Sequence, residues 1–281
     1  MKKVLTIAGS DSSGGAGIQA DIKTMITNGV YASSVISAIT AQNTLGVKSI
    51  QEVRPDVFRD QITAVFEDIC VDATKIGMMA SVEQIKITAE LLKKYEARNV
   101  VLDPVMIATS GARLLPRECI KVLWQELFVC ADLITPNVPE AIYLAEEMGF
   151  MEELKKYSSD SSVDEINVDY EVLATKLRDK IGVDVLLKGG HRDSDMATDI
   201  LATVEGCTIF YGETIDNPNT HGTGCTLSSA IASNLAKGYD MQTSVKRSKE
   251  YIEGALKSGL DIGKGNGPLN HGFDLDGKYI N

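Results

Sequence analysis

Short apolar runs alternate with amphipathic runs along most of this chain, and that alternation limits its fold more than any other feature. Residues 4–8 form a β-branched run that ends at Gly9, and residues 18–26 then carry apolar side chains at helical spacing. The further predicted strands are 33–41, 74–76, 99–102, 132–135 and 184–188, and the further predicted helices are 57–69, 82–92, 120–128 and 138–148. The pattern predicts an α/β fold in which helices cover both faces of a mainly parallel sheet.

The residue types that suit ligand binding follow the predicted strands. Gly9, Asp103, Asn137 and Gly189 each stand where a predicted strand ends, and Gln42 directly follows another. Ligands of parallel sheets bind beyond the carboxyl ends of the strands. The sequence therefore predicts one site built from these loops.

Composition narrows the class of partner and the compartment. The net charge of −11 disfavours nucleic acid, and no apolar run approaches the roughly 20 residues that a membrane span needs. Five cysteines without CxxC spacing disfavour a disulfide framework or a zinc site, which favours a cytoplasmic protein. We expect a single domain over 1–281, interrupted by an acidic surface insertion at about 150–171.

The segment THGTGCTLSS places two glycines before an apolar helical run. Gly222 and Gly224 allow close backbone approach, and the first helical turn leaves free N–H groups that favour an anion. A glycine turn needed only for helix packing is the competing interpretation. Thr220 and Thr223 flank the turn, so they are assigned to the same phosphate side.

Cys225 stands at the entrance of that helix. A thiol at a helix N-terminus is expected to have a lowered pKa. It can act as a nucleophile with His221 as its base, accept a proton from a substrate hydroxyl, or simply pack. The other four cysteines lie in apolar or strand-like stretches and are interpreted as packing residues.

Other polar residues have a structural and a functional interpretation side by side. The loop 9–17 is glycine-rich but is neither a P-loop nor a dinucleotide-binding turn. Asp21 either complements a helix dipole or accepts a hydrogen bond from a substrate. Asn137 and Glu140 form a capping box or hold Mg²⁺ through water near phosphates. Lys188 is either a phosphate ligand or a surface lysine.

Eight segments together resemble the hydroxymethylpyrimidine/phosphomethylpyrimidine kinases of thiamine synthesis, within the ribokinase superfamily. They are AGSDSSGGAGIQADIKT, AITAQNTLGV, TKIGMM, VLDPVM, LITPNVPEA, LLKGGH, NTHGTGCTLSSAIA and GKGNGPLNH. Their order along nearly the whole chain makes the resemblance specific.

The resemblance implies a ribokinase-like three-layer α/β/α sandwich that forms a homodimer. It implies an enzyme that uses ATP and Mg²⁺ to phosphorylate 4-amino-5-hydroxymethyl-2-methylpyrimidine and then its monophosphate. Cys225 matches the family's proton acceptor, and we expect Cys225→Ala to slow the first transfer much more than the second. The implied substrate residues are Gln42, Asp21, Gly9, Ala16, Met78 and Val105. The implied phosphate residues are Asn137, Glu140 and Lys188.

Three alternatives remain at this point. A pyridoxal kinase shares the glycine-cysteine turn but commonly has an apolar residue in place of Gln42, whose amide offers a donor beside an acceptor. A Cys225/His221 thiol hydrolase would form a covalent adduct without ATP. A nucleotide-binding sensor would bind ATP without consuming it.

Overall fold

A computed structural model describes residues 1–106, 117–154, 169–189 and 196–278. Its strands are β1 (Lys3–Asp11), β2 (Tyr31–Asn43), β3 (Gly46–Glu52), β4 (Ala73–Ile76), β5 (Val100–Leu102), β6 (Leu133–Ile134), β7 (Asp184–Lys188), β8 (Met196–Thr203) and β9 (Gly206–Glu213). Its helices are α1 (Gly17–Thr27), α2 (Pro55–Asp68), α3 (Val82–Lys94), α4 (Arg117–Val122), α5 (Val138–Glu147), α6 (Met151–Leu154), α7 (Tyr170–Ile181), α8 (Thr223–Ala236) and α9 (Met241–Lys257).

The described strands form one nine-stranded sheet in the order β3-β2-β1-β4-β5-β6-β7-β8-β9. The strands from β2 to β7 in this order pair in parallel, whereas β3, β8 and β9 pair antiparallel at the two edges. The central strands β4 and β5 are buried along their whole length, as expected for a sheet covered on both sides. The prediction of a mainly parallel three-layer α/β/α fold is confirmed.

Two apolar clusters pack against opposite faces of the sheet. One joins α2, α3, α4, α5 and α7 to the sheet, and the other joins α1, α8 and α9 to it. Because α1 and α8 share a face, the glycine loop after β1 meets the glycine turn before α8. The contact between these two glycine-rich segments fixes where the candidate site lies.

The edge hairpins and one helix differ from the sequence prediction. Strands β3, β8 and β9 were absent from it. The side chains of β3 and β9 are largely exposed, and the apolar run of β8 is only three residues long, at 200–202. The predicted helix 120–128 begins earlier, at Arg117, and continues through a π-helical turn at Leu123–Leu127.

The expected acidic insertion at 150–171 lies mostly outside the described residues. Its described beginning is not a solvated surface, because Phe150 and Leu154 are fully buried in the core, so that part of the prediction is wrong. None of the helices described is long and apolar enough to cross a membrane.

Candidate active site

A cavity of about 530 Å³ lies at the carboxyl ends of the parallel strands and is closed by the first turn of α8. The predicted site residues that line it are Gly9, Ala16, Gln42, Met78, Val105, Asn137, Glu140, Lys188, Thr220, Gly222, Thr223, Gly224 and Cys225. Loops that are far apart in sequence thus converge on one space, as the strand-end rule predicts.

The turn before α8 is shaped for close backbone approach. Gly222 is the N-cap of α8 with a φ of 84°, and a Cβ there would collide with the carbonyl oxygen of Gly15. The Thr223 hydroxyl donates to the Thr220 carbonyl at 2.7 Å, which holds the turn closed. The next amides of the first helical turn have no partner within the helix and face an anion favourably.

A buried ion pair lies directly beside this turn. Lys188 Nζ donates to Asp103 Oδ1 at 2.7 Å, and Thr135 donates to the same oxygen at 3.1 Å. A Cβ on Gly224 would lie 3.2 Å from Asp103 Oδ2 and 3.3 Å from Lys188 Nζ. Burial opposes the charge on Lys188, but the Asp103 and Glu140 carboxylates outweigh it and raise the lysine pKa. Lys188 therefore remains a cation at the anion-binding turn.

Asn137 and Glu140 do form a capping box at the start of α5. The Glu140 amide donates to Asn137 Oδ1 at 2.8 Å, and the Asn137 amide donates to Glu140 Oε2 at 2.9 Å. Burial raises the pKa of Glu140 to about 7, and Asp103 adds to that rise against the opposing charge of Lys188. The capping role and a role in the cavity therefore coexist.

The pKa of Cys225 is opposite to the sequence prediction. Burial raises the pKa of this thiol to about 11, and the Asp21 and Asp103 carboxylates add to it. Lys75 and a backbone hydrogen bond from Gly17 oppose the shift without cancelling it. The expectation of a lowered pKa is wrong, because desolvation and two carboxylates outweigh the helix N-terminus. Cys225 is a neutral thiol near pH 7.

His221 does not serve Cys225. Its Nε2 lies 2.9 Å from Asp11 Oδ2 and 3.3 Å from Gln42 Nε2. Within the described part of the chain, no hydrogen bond joins His221 to Cys225. The neutral thiol and the engaged imidazole together leave a thiol hydrolase without support.

Asp21 does not contact the cavity, so the prediction that it binds substrate directly is wrong. It is fully buried, and Lys75 Nζ donates to both of its oxygens at 2.9 Å. Thr6 and Ser229 donate to it as well. The hydrogen-bonding capacity of this carboxyl group is therefore satisfied inside the protein, below the cavity wall.

Several lining residues were missed by sequence reasoning. Asp103 was recognisable as a strand-end residue but received no role. Another part of the wall comes from β8, β9, α9 and the segment after β9, none of which was predicted. It comprises Asp199, Gly212, Glu213, Ile215, Lys249, Ile252, Glu253 and Leu256. Ile252 and Leu256 stand at helical spacing, and this spacing is the sequence signal from which α9 could have been predicted.

The fold is that of the ribokinase-like small-molecule kinases: a mainly parallel sheet between two helical layers. Its cavity combines a glycine turn at a helix N-terminus with an adjacent lysine. The sequence matches the phosphomethylpyrimidine kinase family over residues 11–270. The chain belongs to this family and is an ATP-dependent phosphotransferase.

Curated relatives cover this chain almost completely. It is 41% identical to the hydroxymethylpyrimidine/phosphomethylpyrimidine kinase of Haemophilus influenzae, across 96% of this chain and 97% of that one. It is 45% identical to the thiamine biosynthesis bifunctional protein ThiED of Geobacter sulfurreducens, across 95% of this chain. The chain spans only 52% of that bifunctional relative.

Solved structures show the same fold with two kinase names. The ADP complex of Bacillus subtilis pyridoxal kinase gives a TM-score of 0.82 at 36% identity, covering 97% of this chain and 98% of that one. The phosphomethylpyrimidine kinase of Clostridium difficile gives a TM-score of 0.74 at 43% identity, covering 90% and 98%. The fold alone therefore does not separate the two substrates.

Proposed function

We propose that this chain uses ATP to phosphorylate 4-amino-5-hydroxymethyl-2-methylpyrimidine, and then its monophosphate, in thiamine biosynthesis. One observation supports this most directly. The same cavity holds the Gln42 amide and the glycine turn of α8, so a base edge and a phosphoryl group have complementary partners in one space.

The pyrimidine end is assigned to Gln42 with Gly9, Ala16, Met78 and Val105. The amide offers a donor beside an acceptor, which complements the amino group and ring nitrogen of an aminopyrimidine. The other residues supply backbone and small or apolar surface for the ring. An apolar residue in place of Gln42 would leave that edge unpaired, at about 1–3 kcal/mol.

The phosphate end is assigned to the α8 turn, Lys188, Asn137 and Glu140. The substrate hydroxyl attacks the γ-phosphorus in line, while the Gly222–Gly224 amides and the cation of Lys188 stabilise charge on the transferring group. Thr220 and Thr223 hold the turn in place.

Magnesium is assigned to Glu140 through water, with Asn137 nearby. Carboxylate and amide oxygens are the donors that Mg²⁺ prefers. Among the described residues, no group of three or more His, Cys, Asp or Glu side chains could hold a metal ion. When bound, Mg²⁺ neutralises phosphate charge.

Cys225 is assigned as the proton acceptor for the first transfer. Because its pKa is raised, only the minor thiolate form can take the proton from the substrate hydroxyl. The second transfer needs little base, since its nucleophile is a phosphate monoester with a second pKa of about 6.

We also propose one kinase domain over 1–281, a cytoplasmic location and a homodimer. The β2–β3 hairpin exposes large apolar side chains, with Ile39 53%, Leu45 67% and Ile50 46% exposed, which favours it as the dimer surface. Light scattering on wild type and Ile50→Lys tests the assembly, and a monomeric wild type would contradict it.

A single incubation tests the activity. The protein is mixed with ATP, Mg²⁺ and the pyrimidine alcohol, and mono- and diphosphate are followed by mass. We expect both products, and none without ATP. ATP binding without turnover would indicate a sensor instead. Pyridoxal is run in parallel, because the similarity to pyridoxal kinases makes it the second candidate substrate. Preferred turnover of pyridoxal would overturn the assignment.

A further inference from the structure

The amide of Gln42 is held between two groups in the cavity wall. His221 Nε2 lies 3.3 Å from its nitrogen, and Thr40 Oγ1 lies 3.3 Å from its oxygen. Each of these neighbours has a stronger partner on its other side. His221 Nε2 lies 2.9 Å from Asp11 Oδ2, and the Thr40 hydroxyl donates to the Ser10 carbonyl at 2.8 Å.

These stronger contacts fix where the protons are. Burial alone would raise the pKa of Asp11, but hydrogen bonds from His221, Ser13 and Ala16 lower it to about 2. The carboxylate is therefore ionised and can only accept, so His221 Nε2 carries a hydrogen and donates it. The Thr40 hydrogen is already used by a carbonyl. Thr40 Oγ1 keeps a lone pair that can accept from Gln42. The protonated Nε2 of His221 keeps no lone pair, so towards Gln42 it can act only as a donor that shares its one hydrogen with Asp11.

Both constraints are met when the Gln42 oxygen faces His221 and its nitrogen faces Thr40. Amide oxygen and nitrogen are distinguished by their hydrogen-bond partners. In this orientation the amide keeps one free lone pair and one free N–H for the cavity. Their order is set by the protein and not by the ligand.

We propose that His221, held by Asp11, is a positioning residue that fixes the orientation of the Gln42 amide and thereby selects ligands with an amino donor beside a ring-nitrogen acceptor in one order. This rests on the proposed role of Gln42 in binding the pyrimidine edge. His221 acts through Gln42 and transfers no proton in the reaction. Without His221 the Gln42 amide could adopt either orientation. The site would then lose part of its preference for that edge over pyridoxal.

Steady-state kinetics of His221→Leu test the proposal. We expect KM for the pyrimidine alcohol to rise roughly tenfold, with kcat and KM for ATP within about twofold of wild type. His221→Gln keeps an N–H near the same position, so it should recover most of the loss. His271→Leu is the matched control, because His271 is also buried, pairs with Thr226 at 3.0 Å and lies outside the cavity.

The Gln42→Met background separates this inference from the function on which it rests. If Gln42→Met leaves KM for the pyrimidine alcohol unchanged, Gln42 does not bind that edge and the proposed role fails. If Gln42→Met raises KM, His221→Leu should add nothing further in that background. Full additivity of the two changes, or failure of His221→Gln to recover KM while melting temperatures are equal, would overturn the positioning role.

Discussion

Two lysine–aspartate pairs stand near the carboxyl edge of the same sheet, and one is sealed while the other is open. Lys75 and Asp21 are both fully buried, with two contacts of 2.9 Å. Lys188 and Asp103 share one contact of 2.7 Å, and the Lys188 side chain is 17% exposed, towards the cavity. A lysine–aspartate pair can thus either stabilise the fold or present a cation to a ligand. Access to the cavity decides which.

The difference has a simple cause in the strands. Lys188 is the last residue of β7, whereas Lys75 is followed by Ile76 before β4 ends. In the register of the parallel strands Lys75 is level with Asp184, four residues before Lys188, so its side chain starts inside the layer between sheet and helix. There it needs a carboxylate from the covering helix, and Asp21 on α1 supplies it.

Breaking the sealed pair is expected to give the largest effect. Lys75→Met leaves the Asp21 charge buried and unpaired, so the free energy of unfolding should fall by about 3–5 kcal/mol. Burial opposes the charge on Lys75, but Asp21 outweighs it and raises the lysine pKa, so Lys75 is a cation in the folded protein. Urea denaturation measures the loss.

The double variant Lys75→Met with Asp21→Asn serves as the control. It removes both charges and keeps one oxygen, which can accept from Thr6 or from Ser229 but not from both. Recovery of most of the lost stability is expected. A double variant as unstable as the single one would show that packing, and not the unpaired charge, carries the effect.

Breaking the open pair should affect catalysis more than folding. Lys188→Met removes the cation beside Gly224, so kcat should fall by roughly 10²–10³-fold. Its melting temperature should change less than that of Lys75→Met. Lys188→Arg keeps the charge and should retain more activity. A Lys188→Met enzyme with near-normal kcat would place both pairs in the same structural class.

The sequence predicts which edge of the sheet carries the site, but it does not distinguish the sealed pair from the open pair. The strand ends predicted Asn137 and Gln42 in one place, and the structure brings them together with the α8 turn. Asp21 and Lys188 both had a plausible ligand role from sequence alone. Depth below the cavity wall separates them, and depth depends on how α1 packs on the sheet, which no local pattern records.

The pKa of Glu140 depends on both charges of the open pair. Burial raises its pKa to about 7 from 4.5, so the folded protein binds this proton more tightly than the unfolded chain. The resulting stability is complete below pH 4.5 and is lost as the pH rises towards 7. In ligand-free wild type the free energy of unfolding should fall by roughly 2 kcal/mol between those limits. Glu140→Gln should abolish this fall.

Unfolding free energies at pH 5, 6, 7 and 8 measure this slope. Glutamine keeps the carbonyl oxygen that accepts from Asn137, so the capping box of α5 is preserved. A wild type and a Glu140→Gln variant with parallel pH profiles would show that Glu140 is ionised in the folded state across this range. The open pair would then tolerate a second carboxylate without protonating it.

The pKa of Cys225 depends on charges of both pairs, and the resulting effect of pH is expected in the first transfer alone. Burial raises its pKa to about 11, Lys75 and Asp21 of the sealed pair act in opposite directions, and Asp103 of the open pair adds to the rise. The thiolate fraction therefore grows about tenfold per pH unit above 7. The first phosphorylation should follow it from pH 7 to 9, while the second stays nearly flat.

Single-turnover assays of both transfers, followed by mass, measure these profiles. Cys225→Ala should flatten the first profile and slow that step much more than the second, with melting temperature as the control for folding. A first step that is flat with pH in wild type, or equal losses in both steps for Cys225→Ala, would leave the sulfur as a contact that positions the hydroxyl. The open pair would then act on the phosphoryl group alone, because no thiolate would be present for its charges to tune.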